Sequence, residues 1–171
     1  SNVDAQFTAG QIYLQQKEGL NAVSAFRTVV AEKPDAENGH LLLAQAHLLS
    51  QEKQLVKDAL VNGIKANPGS AKLRRGLARV HMADKNFEGA EKELRLIIEQ
   101  HPKDARARGD LADLLFGRQR PDEAIAIYKQ MVDQQPKIPA GYLKLAAIYH
   151  SQKKPDDARE IREQGYATIP Q

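Results

Sequence analysis

Cysteine and tryptophan are both absent from the 171 residues, and aromatic side chains make up only 5% of them. Without cysteine there is no disulfide framework and no thiolate metal site, a composition compatible with a reducing or an oxidising compartment, so localisation stays open. So few rings exclude the stacking platforms on which single-stranded nucleic acid is held. The 25 Lys+Arg residues nearly balance the 22 Asp+Glu, for a net charge of +3, which is too little for a general polyanion binder. Nucleic acid is therefore not expected as a partner. No apolar run approaches the roughly 18 residues of a membrane span, and the first residues lack a charged-then-apolar leader pattern, so direct membrane insertion is not expected. Catalytic signatures are missing too: there is no G-x-G-x-x-G, P-loop, nucleophile elbow or H-E-x-x-H. The sequence reads as a non-enzyme with no cofactor and no metal.

What the chain does have is a spacing. Pro34, Pro68, Pro102, Pro136 and Pro170 stand 34 residues apart, each after a run of helix-forming residues. Proline cannot donate the bond that a continuing helix needs, and it pushes the preceding residue out of the helical region. Each one ends a helix, and the fixed period means tandem copies of one supersecondary unit.

Aligning the copies gives columns. One position carries Ala9, Leu43, Leu77, Leu111 and Leu145, and the next carries Gly10, Ala44, Ala78, Ala112 and Ala146. Small residues recur where helices must approach closely. A second small column, Ala22, Val56, Ala90, Ala124 and Ala158, is followed one turn later by Phe26, Leu60, Leu94, Tyr128 and Arg162. Between the two helical stretches lies a short polar turn, such as Lys17-Glu18-Gly19 or Gln51-Glu52-Lys53, which forces the helices to run antiparallel. Pro121 and Pro155 fall where a second helix begins, and Ser70 and Asp104 are placed to cap first helices. The prediction is ten helices in five hairpins.

At these residues the chain resembles the tetratricopeptide repeat family, whose signature is a helix-turn-helix carrying W-x₂-L-G-x₂-Y, then A-x₃-F, then P. The first copy offers Ala9-Gly10-x₂-Tyr13, Ala22-x₃-Phe26 and Pro34; the third offers Leu77-Ala78-x₂-His81, Ala90-x₃-Leu94 and Pro102. The resemblance implies an all-α, right-handed superhelical solenoid whose first helices line a concave groove. It covers residues 3–171 as a single array, with repeats at about 3–36, 37–70, 71–104, 105–138 and 139–171. Departures are informative. The Trp place holds Gln6, His40, Arg74, Arg108 and Tyr142, and Gly63 and Gly165 interrupt second helices, where glycine costs about 1 kcal/mol relative to alanine. Those two helices are expected to fray. Pro170 keeps the period, as though a further helix were to follow.

His47 and His81 share the column of Tyr13 and Tyr149, which marks them as packing rings rather than metal ligands. Turning 100° per residue, Lys72, Arg75, Arg79 and Met82 fall opposite Leu73, Leu77 and Val80, on the face expected to look into the groove. Arg106 occupies the place of Lys72 one copy later, while Asp110 and Asp113 stand ready to neutralise Arg75 and Arg79. One branch of the family clamps a C-terminal carboxylate with Lys and Asn side chains, but Phe7, Gln11 and Leu42 stand at its places here. Phe7, Gln11, Leu41, Gln45 and Leu48 instead suit an amphipathic helix or extended peptide. The resulting expectation is a non-catalytic scaffold that binds a peptide or helix of a partner protein through Phe7, Gln11, Leu41, Gln45, Lys72, Arg75, Arg79, Met82, Arg106 and Asp113. The alternative is an assembly spacer that self-associates through its terminal faces, or an accessory repeat segment of a larger cell-envelope or secretion-related protein.

Overall fold

The computed structural model describes residues 2–168, so Pro170 lies outside the described residues. Within them are ten α-helices: α1 (Asn2–Gln15), α2 (Gly19–Glu32), α3 (Glu37–Leu49), α4 (Lys53–Ala66), α5 (Ala71–Ala83), α6 (Phe87–Gln100), α7 (Ala105–Gly117), α8 (Pro121–Gln134), α9 (Pro139–Ser151) and α10 (Pro155–Thr168). Each odd-numbered helix pairs with its successor as a hairpin, in the order the prolines predict. The helices gather into two compact units, Ser1–Gln100 with α1 to α6 and His101–Gln171 with α7 to α10. In the first unit α3 also touches α1 and α5, which sets three first helices side by side. No helix among the described residues is long and apolar enough to cross a membrane.

Two kinds of turn alternate. Inside each hairpin the turning residue is left-handed: Lys17, Gln51, Lys85, Gln119 and Lys153 hold φ between 57° and 61°. Two backbone bonds close the first helix there, Glu18 N–H to Tyr13 O at 2.8 Å and Lys17 N–H to Leu14 O at 3.1 Å, and the same pair recurs in every hairpin. This is the Schellman arrangement, which satisfies carbonyls that the helix end leaves open. Between hairpins the periodic prolines perform the second turn. Ala36 N–H reaches Lys33 O at 3.0 Å and Ser70 N–H reaches Asn67 O at 3.0 Å, each closing a four-residue turn with proline in its second place. Ser70 Oγ and Asp104 Oδ1 then accept from Leu73 N–H (3.0 Å) and Ala107 N–H (2.8 Å), so both expected caps are in place.

The columns are the core. Ala22, Ala90, Ala124 and Ala158 are wholly buried, and Phe26, Leu60, Leu94 and Tyr128 one turn on are buried too. Arg162, in the same column, is exposed and bonds back to Ala158 O at 3.1 Å. The Trp place is filled by polar side chains that turn inward. His40 Nε2–H donates to Pro34 O (2.8 Å) and Arg74 Nη2 to Pro68 O (3.1 Å), so each ties its own hairpin to the proline turn before it. Arg74 also bonds Glu93 of α6 at 2.9 Å, with each side chain only 12% exposed.

Gly63 and Gly165 do not weaken their helices in the way the sequence suggests. A Cβ on Gly63 would come within 2.8 Å of His40 Cβ, and one on Gly165 within 3.0 Å of Tyr142 Cγ. Where the Trp place holds a ring, the facing helix gives up its side chain; where it holds Arg74 or Arg108, that column carries Ile97 or Met131, both buried. Their helix-propensity cost is offset by close packing.

Candidate protein-interaction site

In the first unit, the first-helix wall runs over α1, α3 and α5. Phe7 is half-buried and meets the Phe26 ring edge-on, with centroids 5.9 Å apart. Gly10 lets that ring in, since a Cβ there would lie 2.7 Å from Phe26 Cζ. Leu41 is half-buried against the core, whereas Gln11 and Gln45 are exposed. Leu48, one turn beyond Gln45, is 62% exposed and Leu49 beside it 38%, an apolar surface that nothing in the unit covers.

Along α5, Lys72 and Arg79 are exposed, and Arg75 and Met82 half-buried. Lys72 Nζ lies 3.4 Å from Glu37 Oε2, and Glu37 Oε1 accepts from Ser70 Oγ at 2.5 Å. An exposed pair of this kind contributes about 0 to 1 kcal/mol, so a partner carboxylate can compete for the lysine. The partial neutralisation by Glu37 was not read from the sequence, although Glu37 opens the helix next to α5.

In the second unit, Arg106 is exposed on the first turn of α7. Asp113 is held within its own unit. Lys144 Nζ of α9 sits 2.8 and 2.9 Å from its two oxygens, and the Tyr128 hydroxyl of α8 donates to Oδ1 at 2.6 Å. Burial, then the Asp113 hydrogen bond and charge, with Asp110 adding to them, push the Tyr128 phenol well above its ordinary range, so it remains a donor. Tyr128, Lys144 and Gly109 had not been singled out. The readable signal was Tyr128 itself, the one hydroxyl in a column with Phe26, Leu60, Leu94 and Arg162.

The two column histidines lock turns. His47 Nδ1 pairs with Glu52 Oε2 at 2.6 Å, and Asn86 Nδ2 donates to His81 Nδ1 at 3.1 Å while Asn86 Oδ1 accepts from Gly89 N–H. Among the described residues no three His, Cys, Asp or Glu side chains gather closely enough to hold a metal.

The profile of the tetratricopeptide repeat family matches residues 53–114 and 115–167. No curated protein sequence matches the chain. Among solved structures, MamA 41-end from Desulfovibrio magneticus RS-1 is 15% identical, over 98% of this chain and 95% of that one, at a TM-score of 0.74. PilF from Pseudomonas aeruginosa is 17% identical over 99% of this chain and 78% of that one, at 0.72. YrrB, described as a tetratricopeptide protein with an unusual peptide-binding site, is 15% identical over 93% and 82%, at 0.66. At such identities the likeness shows the fold, a helical-repeat solenoid.

Proposed function

Because the chain belongs to the tetratricopeptide repeat family, a family of protein-interaction scaffolds, we propose that it is non-catalytic and that its first-helix wall over α1, α3 and α5 binds a peptide or helix of a partner protein. The observation that carries the reading is the exposed Leu48 and Leu49 on α3, a helix that touches the cation-bearing α5. A segment that suits this wall has an apolar face for Leu41, Leu48 and Phe7, amide-bonding groups for Gln11 and Gln45, and a carboxylate for Lys72, Arg75 and Arg79. Arginine supplies the planar fork that a carboxylate accepts. The peptide-binding site ascribed to YrrB supports a groove of this use in the fold. We take residues 3–171 as one array, with Arg106 and Asp113 on the wall of its second unit.

A random peptide library displayed on phage and selected on the full chain tests the reading. One class of selected peptides is expected to be apolar with acidic residues. A peptide from it should lose about tenfold or more in affinity to Arg75→Glu/Arg79→Glu, and again to Leu48→Gln, with melting temperatures little changed. Affinity that survives both variants removes this wall as the site.

A further inference from the structure

Of the eleven glycines, eight sit where a Cβ would come within 3.1 Å of a neighbouring atom, so each meets a close neighbour. Gly69 lies in an interhelix turn and Gly117 ends α7, positions that glycine suits. Gly109 is different. It stands in the middle of α7, nothing lies within 4 Å of the Cβ it lacks, and its φ is not in the left-handed region. Glycine at such a site costs about 1 kcal/mol relative to alanine with no return in packing or in turn geometry.

What it leaves is a notch in the wall. The same register position holds Phe7, Leu41, Arg75 and Leu143 in the other copies, so Gly109 removes a large side chain from α7. One helical turn on, Asp113 presents a carboxylate, half exposed and fixed from below by the buried Tyr128 hydroxyl, which also lies 3.3 Å from Gly109 O. Phe116, two turns from Gly109 on the same face of α7, is 38% exposed. Among the described residues the cation on the carboxylate is Lys144, itself half exposed, on a long stem that can swing into water. The wall therefore offers a gap, a pre-aimed anion and an apolar neighbour in Phe116.

We propose that the Gly109 notch is a subsite for a basic residue of a partner peptide, whose stem lies over Gly109 toward Phe116, two turns on along the same face of α7, and whose head replaces Lys144 on Asp113. Charge complementarity selects the occupant: an oriented carboxylate at the edge of a gap takes an arginine or lysine that lays its methylenes over the helix. Tyr128 is a positioning residue, holding Asp113 toward the notch. This subsite belongs to the second unit and prefers the opposite charge to that taken by the wall over α1, α3 and α5.

The same displayed peptide library, selected on the full chain, tests it. Peptides enriched in arginine or lysine are expected. For one such peptide, Gly109→Leu and Asp113→Asn should each weaken binding about tenfold. Leucine at this position has precedent in Leu41 and Leu143, so the variant should fold with an unchanged or raised melting temperature. Tyr128→Phe, with Phe26 as precedent in its column, should weaken binding less and be rescued by no change of salt. Lys144→Ala should tighten the basic peptide by removing its competitor. A pool without basic residues, binding indifferent to Gly109→Leu, or weaker binding in Lys144→Ala overturns the proposal. The Arg75→Glu/Arg79→Glu variant separates the two readings: it should leave the basic peptide's affinity intact while weakening that of acidic peptides about tenfold or more.

Discussion

Two glycines on helix interiors are predicted to answer substitution with opposite signs. Gly63→Ala drives a methyl to within 2.8 Å of His40 Cβ and 3.0 Å of Leu73 Cδ2, and should destabilise by about 1–3 kcal/mol despite alanine's better helix propensity. Gly109→Ala meets nothing and should stabilise by up to about 1 kcal/mol. Urea unfolding of the two variants checks both, and matching signs would remove the close-packing account of Gly63. From sequence alone the two residues look alike, each an interruption of a helical pattern. What distinguishes them is a ring on another helix, and only the folded hairpin brings it near.

At the level of the element, the proline period was enough to give all ten helices in order, and Ser70 and Asp104 were legible as caps because a cap is a local device. The hairpin turns were less so. Five left-handed residues, none of them glycine, sit at the corresponding places of the five hairpins. Their side chains carry a steric cost of about 1–2 kcal/mol that glycine avoids, partly offset by the chain entropy glycine adds to the unfolded state. Gln51→Gly and Lys85→Gly are each expected to stabilise by a few tenths to about 1 kcal/mol, and together nearly additively because they lie in separate turns. Thermal and denaturant melts of the single and double variants measure this; a loss of stability would mean that the side chains make contacts outweighing the backbone strain. The candidate wall was partly legible for the same reason as the caps. Lys72, Arg75 and Arg79 follow from helical periodicity, but Lys144 reaches Asp113 from the next hairpin, a pairing that no spacing within one helix reveals.

For the whole chain, stability in a tandem array is a sum of hairpin terms and neighbour interfaces rather than one indivisible quantity. Leu73 is fully buried on α5 and touches Gly63 of α4, so Leu73→Ala should cost about 2–5 kcal/mol. Amide hydrogen exchange is expected to accelerate most in α3 to α6 and least toward α10, whereas a uniform acceleration would show a single cooperative transition. The fit of Gly63 to His40, and of Gly165 to Tyr142, also sets the grain at which such a protein can be rebuilt. Moving α6 alone into the place of α4 would drive Ile97 into the His40 ring, and moving α4 into the place of α6 would leave a hole beside Arg74. Moved as a pair, each helix keeps its complement. For recombination or design the smallest interchangeable part is thus the hairpin, and a duplication whose breakpoints fall inside one would inherit a mismatch from its first generation.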